Sequence, residues 1–136
     1  MSNIEQTFSI IKPDAVERNL TDDIKAIFVK KNLIIKQSKK IQITKEEAAE
    51  FYKVHQTKPF YDDLCSYLSS GPIVVMILEG ENAVLLNRKL MGATDPKNAE
   101  ANTIRKLYGI SIDKNSVHGS DSPDNGKKEI SFFFKD

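Results

Sequence analysis

Ile73-Val74-Val75-Met76-Ile77-Leu78 is the stretch that decides how this chain folds. It is an unbroken apolar run, mostly β-branched, with Gly71-Pro72 directly before it and Gly80 soon after. A run of that length is too short for a typical helix, and it offers no polar alternate to face water. It reads as a central, buried strand.

Upstream, Gly71-Pro72 stops a short helix that runs to Ser70. Pro59 separates that helix from one opened by the capping-box pattern Thr44-Lys45-Glu46-Glu47 and carried through Ala48, Phe51, Tyr52 and His55. From about Leu33 to Ile43 a partial alternation, broken by lysines, predicts a second strand. Thr21 can cap a helix bearing Ile24, Ile27 and Phe28 as an i, i+3, i+4 stripe. Thr7 and Ser9 alternate with Phe8 and Ile10 to give a first strand before Lys12-Pro13-Asp14. Downstream, a helix runs from about Asn82 to Met91, and an irregular stretch from Gly92 to about Val117 follows. His118 then ends a short extended segment. Ser122 is placed as an N-cap, with Pro123 as the first residue of a last helix reaching Ile130 before Phe132-Phe133-Phe134. The order suits an α+β sandwich: a four-stranded antiparallel sheet with helices covering one face. The long irregular stretch counts against such an assignment unless it is functional, and it is read as functional.

The 136 residues fit a single domain, 1–136. With 20 Lys and Arg against 19 Asp and Glu, the net charge of +1 gives no global field for nucleic acid or an acidic membrane. Neither a signal peptide nor an apolar span of transmembrane length is visible. Cys65 is the single cysteine, so no intramolecular disulfide or Cys-x-x-Cys metal site can form, and a reducing cytoplasm is expected.

The chemistry concentrates in Asn115-Ser116-Val117-His118-Gly119-Ser120-Asp121-Ser122-Pro123. A neutral imidazole can accept a phosphoryl group and hand it on. Here it lies close to helix-terminal amides whose partial positive charge suits an anion. A lone histidine beside Val117 is more often a packed residue with satisfied nitrogens. Gly119, which clears space, and the helix opening at Ser122 favour the phosphate-transfer reading. No Gly-x-x-x-x-Gly-Lys-Ser/Thr loop is present, so a polyphosphate tail would need dispersed side chains. Arginine offers a bidentate fork and lysine a compact point charge, though most of the 20 Lys and Arg residues are solvated surface.

The run Asn-x-x-His-Gly-Ser-Asp resembles the signature of the nucleoside diphosphate kinases, and the likeness extends from about Thr7 to Phe134. The resemblance implies a ferredoxin-like fold. It also implies that His118 takes a phosphoryl group from a nucleoside triphosphate, typically ATP, and gives it to a different nucleoside diphosphate, ribo or deoxyribo, in a ping-pong cycle. Lys12, Arg88, Thr94 and Arg105 would hold phosphates. Glu129 would bond the ring nitrogen that does not react, directly or through the Ser120 hydroxyl, the orienting logic of a triad. Tyr52 would lie beside the histidine, with His55 near it, although packing against Phe51 explains Tyr52 equally well. Phe60 would stack on the base and Ile112 meet its other face, which accepts purines and pyrimidines alike. Lys12 and Asn115 would meet the sugar. Magnesium would ride on the nucleotide phosphates with no direct protein ligand, Asp121 included. The resemblance further implies a homo-oligomer, tetramer or hexamer.

Four departures stand out. Ala101-Asn102 replaces the usual Pro-Gly, and Lys106-Leu107 the frequent Gly-Asp, both in the long loop that helps subunit contacts in related proteins. Lys58 and Lys114 stand where arginine is common, and Gly126 sits inside the last helix. Two competing readings remain: a non-enzymatic nucleotide-binding scaffold, with Lys36, Lys39 and Lys40 as a local basic patch, and a phosphohistidine relay to other proteins.

Overall fold

The apolar run lies within β3, Ile73–Glu81, the inner strand that joins the sheet together. The structure, a computed structural model, describes residues 4–53, 57–59, 61–111 and 114–134. Strands β1 (Ile4–Ile11), β2 (Ile34–Ile41) and β4 (Val117–Gly119) complete a sheet of order β2-β3-β1-β4, antiparallel throughout. This is an α+β, ferredoxin-like fold, as expected. Ile10 pairs with His118 and Ser9 with Gly119, so β1 carries the short strand that holds the histidine.

The pleat explains the layering. Phe8, Ile10, Ile73 and Val75 point to one face, whereas Ile11, Val74, Met76 and Leu78 point to the other. Helices α2 (Thr21–Lys30) and α5 (Ala83–Met91) cover the second set through Ile24, Phe28, Ala83 and Met91. Helices α3 (Lys45–Phe51), α4 (Tyr61–Leu68) and α7 (Pro123–Phe133) cover the first. The helical cover thus lies on both faces rather than one. The cause is in β3 itself: a strand apolar on both sides leaves neither side for water. Each large side chain so buried contributes roughly 1.5–3 kcal/mol. The edge strand β2 is mostly exposed and carries Lys36, Lys39 and Lys40, which discourages pairing with other edges. Lys39 is also engaged: its Nζ donates to the Phe133 carbonyl at 2.5 Å and lies 4.9 Å from the Phe134 ring centre, tying the end of α7 to β2.

Local chemistry sets the helix ends. The Thr44 and Glu47 side chains form the reciprocal capping box, and the Ser122 hydroxyl accepts from the Asn125 amide with Pro123 next in line. Thr21 is the first helical residue of α2 rather than its cap, which is Leu20. Helix α3 ends at Phe51, with Tyr52 as its C-cap, and His55 lies outside the described residues. Three short helical elements lie where the sequence shows no helical pattern. They are α1 (Pro13–Glu17), a 3-10 turn at Pro96–Asn98, and α6 (Ile104–Tyr108), whose cap is the Thr103 hydroxyl. The Gly92–Val117 stretch is therefore partly helical, in pieces too short to show periodicity. Among the described residues no helix is long and apolar enough to cross a membrane.

Gly126, inside α7, is a place where the chain can be improved. A Cβ there would sit 3.6 Å from the Ser120 Cβ and Oγ and 3.7 Å from the Gln6 carbonyl, ordinary contact distances. Gly126→Ala should stabilise the protein by up to about 1 kcal/mol through helix propensity. Thermal unfolding should show a rise in Tm; a fall would mean that the Ser120 contact is tighter than the geometry indicates.

Candidate active site

The Lys12 amide donates to the Ser116 carbonyl at 2.8 Å, so the exit of β1 is stitched to the entrance of β4. Above that junction opens a cavity of about 760 Å³, a size suited to a small-molecule ligand. Lys12, Tyr52, Arg88 and Thr94 line it, as do Arg105, Asn115, His118 and Glu129, residues drawn from nearly the whole length of the chain. Ser120 is fully buried behind them. Phe60 and Ile112, the expected base contacts, lie outside the described residues.

His118 stands on β4 with its side chain 23% exposed. Its Nε2 is 3.1 Å from Glu129 Oε1, and the Ser120 hydroxyl donates to the same oxygen at 2.7 Å. Both expected links to Glu129 therefore exist together. An Nε2–H that donates to Glu129 leaves the lone pair on Nδ1, which has no hydrogen bond among the described residues. Phe51 braces the ring edge-on, with centroids 5.3 Å apart at 77°, and Phe8 lies at 6.3 Å behind it. Phe8 in turn stacks on Phe133 at 5.2 Å. This aromatic backing went unseen in the sequence, where Phe51 and Phe133 look like ordinary core. Burial holds the Tyr52 hydroxyl well above its usual pKa, so it stays protonated and can donate.

Gly119 is fixed by crowding. A Cβ there would fall 2.3 Å from Asn87 Nδ2 and 2.7 Å from Met91 Cε, both on α5. The close approach of α5 brings Arg88 to the cavity. Ser116 takes a left-handed φ of 73°, a conformation costing a non-glycine residue about 1–2 kcal/mol. It turns Asn115 inward, where Oδ1 accepts from Lys12 Nζ at 2.9 Å and Nδ2 donates to the Thr94 carbonyl at 3.1 Å. Lys12, Asn115 and the Thr94 loop are thereby linked.

Electrostatics favour an anion. Arg105 is 9% exposed and gives hydrogen bonds to two carbonyls, Gly92 at 3.0 Å and Val117 at 2.9 Å. Its buried Nε has no partner among the described residues. Burial first, and the nearby Arg88 cation second, lower its pKa to about 10. The Asn125 amide, donating at 2.5 Å, is the main cause that holds the Asp121 carboxyl below its usual range, with Arg88 a lesser one. Among the described residues no group of three acidic, histidine or cysteine side chains is placed to hold a metal ion.

A phosphate tail would relieve the crowding of Arg88 and Arg105. Nucleoside diphosphate at about 100 times its Kd should therefore stabilise the fold by about 2.7 kcal/mol. A thermal-shift titration with ADP checks this, and an unmoved Tm would deny these cations an anion-binding role. The pH dependence has a definite sign. Arg105 is charged below about 10, so an anion held by it would stay bound through neutral pH and weaken as the pH passes about 10.

Comparison with known proteins agrees with this geometry. Residues 5–136 match the family described as nucleoside diphosphate kinase. A protein of that name from Granulibacter bethesdensis is 56% identical over 131 residues, covering 96% of this chain and 94% of its own length. Another, from Rhizorhabdus wittichii, is 58% identical with the same coverage. The crystal structure of the Aquifex aeolicus nucleoside diphosphate kinase superposes with a TM-score of 0.96 at 40% identity, covering 98% of this chain and 96% of that one. A Halobacterium salinarum nucleoside diphosphate kinase in complex with CDP gives a TM-score of 0.94 at 42% identity, covering 98% and 90%.

Proposed function

The chain belongs to the nucleoside diphosphate kinase family, and we propose that it works by a ping-pong mechanism through a phosphohistidine on His118. The observation that carries the proposal is the pairing of His118 Nε2 with Glu129 at 3.1 Å, which directs the Nδ1 lone pair to the reaction. Nδ1 attacks the γ-phosphorus of ATP, a nitrogen–phosphorus bond forms, the bond to the β-phosphate oxygen breaks, and ADP leaves. A second diphosphate then attacks the phosphohistidine through its terminal oxygen, and the ring is regenerated.

Phosphoryl transfer asks a protein mainly for positioning and charge neutralisation. Lys12, Arg88 and Arg105 supply the charge, and Thr94 a hydroxyl to the phosphates. Tyr52, kept as a donor by burial, sits beside the transferring group. Ser120 and Glu129 fix the tautomer of His118 and stabilise the charge that develops on its ring. Magnesium, carried by the nucleotide, would neutralise phosphate charge. Asp121 lines the cavity with its carboxyl held below the usual range, and it is not proposed as a direct ligand.

Phe60 stacks on the base and Ile112 caps its other face, while Lys12 and Asn115 meet the sugar. Stacking is worth about 1–3 kcal/mol per base and discriminates little between bases. The exposed Leu107 and Ile110, on and just after α6, offer apolar surface to another copy, and the working form is a homotetramer or homohexamer. The activity belongs to a single domain, 1–136, and to the cytoplasm, where nucleotides are exchanged and Cys65 stays a free thiol. The test is a coupled assay with ATP as donor and dTDP, GDP, CDP and UDP as acceptors. All four should be phosphorylated; confinement to one base would contradict the stacking account.

A further inference from the structure

Asp14 is a buried carboxylate, 5% exposed, on the first turn of α1 and outside the cavity of His118. The Tyr67 hydroxyl donates to its Oδ1, and burial keeps that hydroxyl protonated. Its Oδ2 accepts from the Ser116 hydroxyl at 2.8 Å and from Arg18 Nη2 at 3.1 Å. Arg18 Nη2 also reaches the Tyr108 carbonyl at 2.6 Å, and its Nε the Asp14 carbonyl at 3.0 Å. One carboxylate thus ties α1 and α4 to both ends of the segment from Tyr108 to Ser116.

That segment ends in the left-handed turn at Ser116, where φ is 73°. Side chains other than glycine hold such a backbone only when neighbours over-determine it. At Ser116 the neighbours are the Asp14 carboxylate and, at 3.4 Å, Arg18 Nη2 on the hydroxyl, with the Lys12 amide on the carbonyl. The turn places Asn115, 2% exposed, with its side chain on Lys12 Nζ and the Thr94 carbonyl. Without it, Asn115 would leave the cavity and its 2.9 Å hydrogen bond to the Lys12 amine would break.

We propose that Asp14 is a positioning residue for phosphoryl transfer: it locks the Ser116 turn and so sets Asn115 and the Lys12 amine against the nucleotide. The role rests on the reading of His118 as phosphoryl acceptor. Asp14 touches no reacting group and faces a second hollow, shared with Tyr67, Ser70 and Lys114. Its effect on the cavity passes through Ser116, Asn115 and Lys12.

The consequence is a defect that depends on the donor. His118 can be phosphorylated by ATP, whose tail and sugar must be held, or by phosphoramidate, which has neither. With phosphoramidate, the phosphorus–nitrogen bond to departing ammonia breaks as the bond to the imidazole forms. Asp14→Asn keeps the shape but offers one acceptor oxygen to donors that now use two. Labelling from ATP should slow on the order of a hundredfold, the cost of a misplacement near 1 Å, while labelling from phosphoramidate falls by no more than about threefold. Ser116→Ala provides a second arm, because alanine keeps the strained positive φ and removes only the hydroxyl that Asp14 holds. It should show the same split, and it decides the matter if Asp14→Asn does not fold. Equal losses with both donors, or no loss with ATP, would overturn the proposal. Wild type that takes no label from ATP would instead overturn the phosphohistidine mechanism itself, before any variant is measured.

Discussion

Replacing His118 by alanine should reduce phosphoryl transfer from ATP to dTDP by at least about four orders of magnitude, because it removes the group proposed to carry the covalent intermediate. Tyr52 is held protonated by burial, and the Ser120 hydroxyl is fully buried and committed to Glu129. Neither is placed to substitute. The fold should survive, since the His118 side chain is 23% exposed and its loss frees one contact to Glu129. Steady-state rates and thermal unfolding, read side by side, separate the two effects. A variant that keeps more than a few per cent of the activity would show that the phosphoryl group travels by another route.

Gly119→Ala carries the second largest effect, and its origin is steric. The added methyl would fall 2.3 Å from Asn87 Nδ2, 2.7 Å from Met91 Cε and 3.0 Å from Met91 Sδ. Asn87 is fully buried, so it cannot swing into solvent. Either β4 or α5 must shift. Overpacking of this kind costs about 1–3 kcal/mol, a drop in Tm of several degrees. The shift also separates His118, on β4, from Arg88, on α5, and a displacement near 1 Å can cost on the order of a hundredfold in rate. Asn87→Ala removes the nearest clashing atom, so the double variant should regain part of both losses. If Gly119→Ala alone retains wild-type Tm and rate, α5 does not press on β4 as the coordinates place it.

The sequence made the parts governed by local chemistry legible. The apolar run of β3 needed no context, and the caps at Thr44 and Ser122 follow from hydroxyls that can reach their own backbone. Sheet order came instead from a resemblance, because strands distant in sequence carry no local mark of their neighbours. Helix α6 escaped because five residues cannot display a helical period, and its Thr103 cap stands in a stretch without other signals. The covering of both faces was implicit in β3 but needed coordinates to assign α3, α4 and α7 to the face of Phe8 and Ile10. Around the cavity, the residues picked from the His-Gly-Ser-Asp run and its likeness come together, while Phe60 and Ile112 fall outside the described residues. Asp14 could not be found from sequence. A buried aspartate spells the same as a solvated one, and its partners lie up to about a hundred positions away, as Ser116 does.

In the proposed mechanism Glu129 occupies one nitrogen of His118 and leaves the other to react. The position of the phosphoryl group on the ring tests it most directly. Protein labelled with γ-³²P-ATP, hydrolysed in alkali and resolved into the two phosphohistidine isomers, should carry its label on Nδ1. Label on Nε2 would contradict the account, because that nitrogen would have to release Glu129 in order to attack.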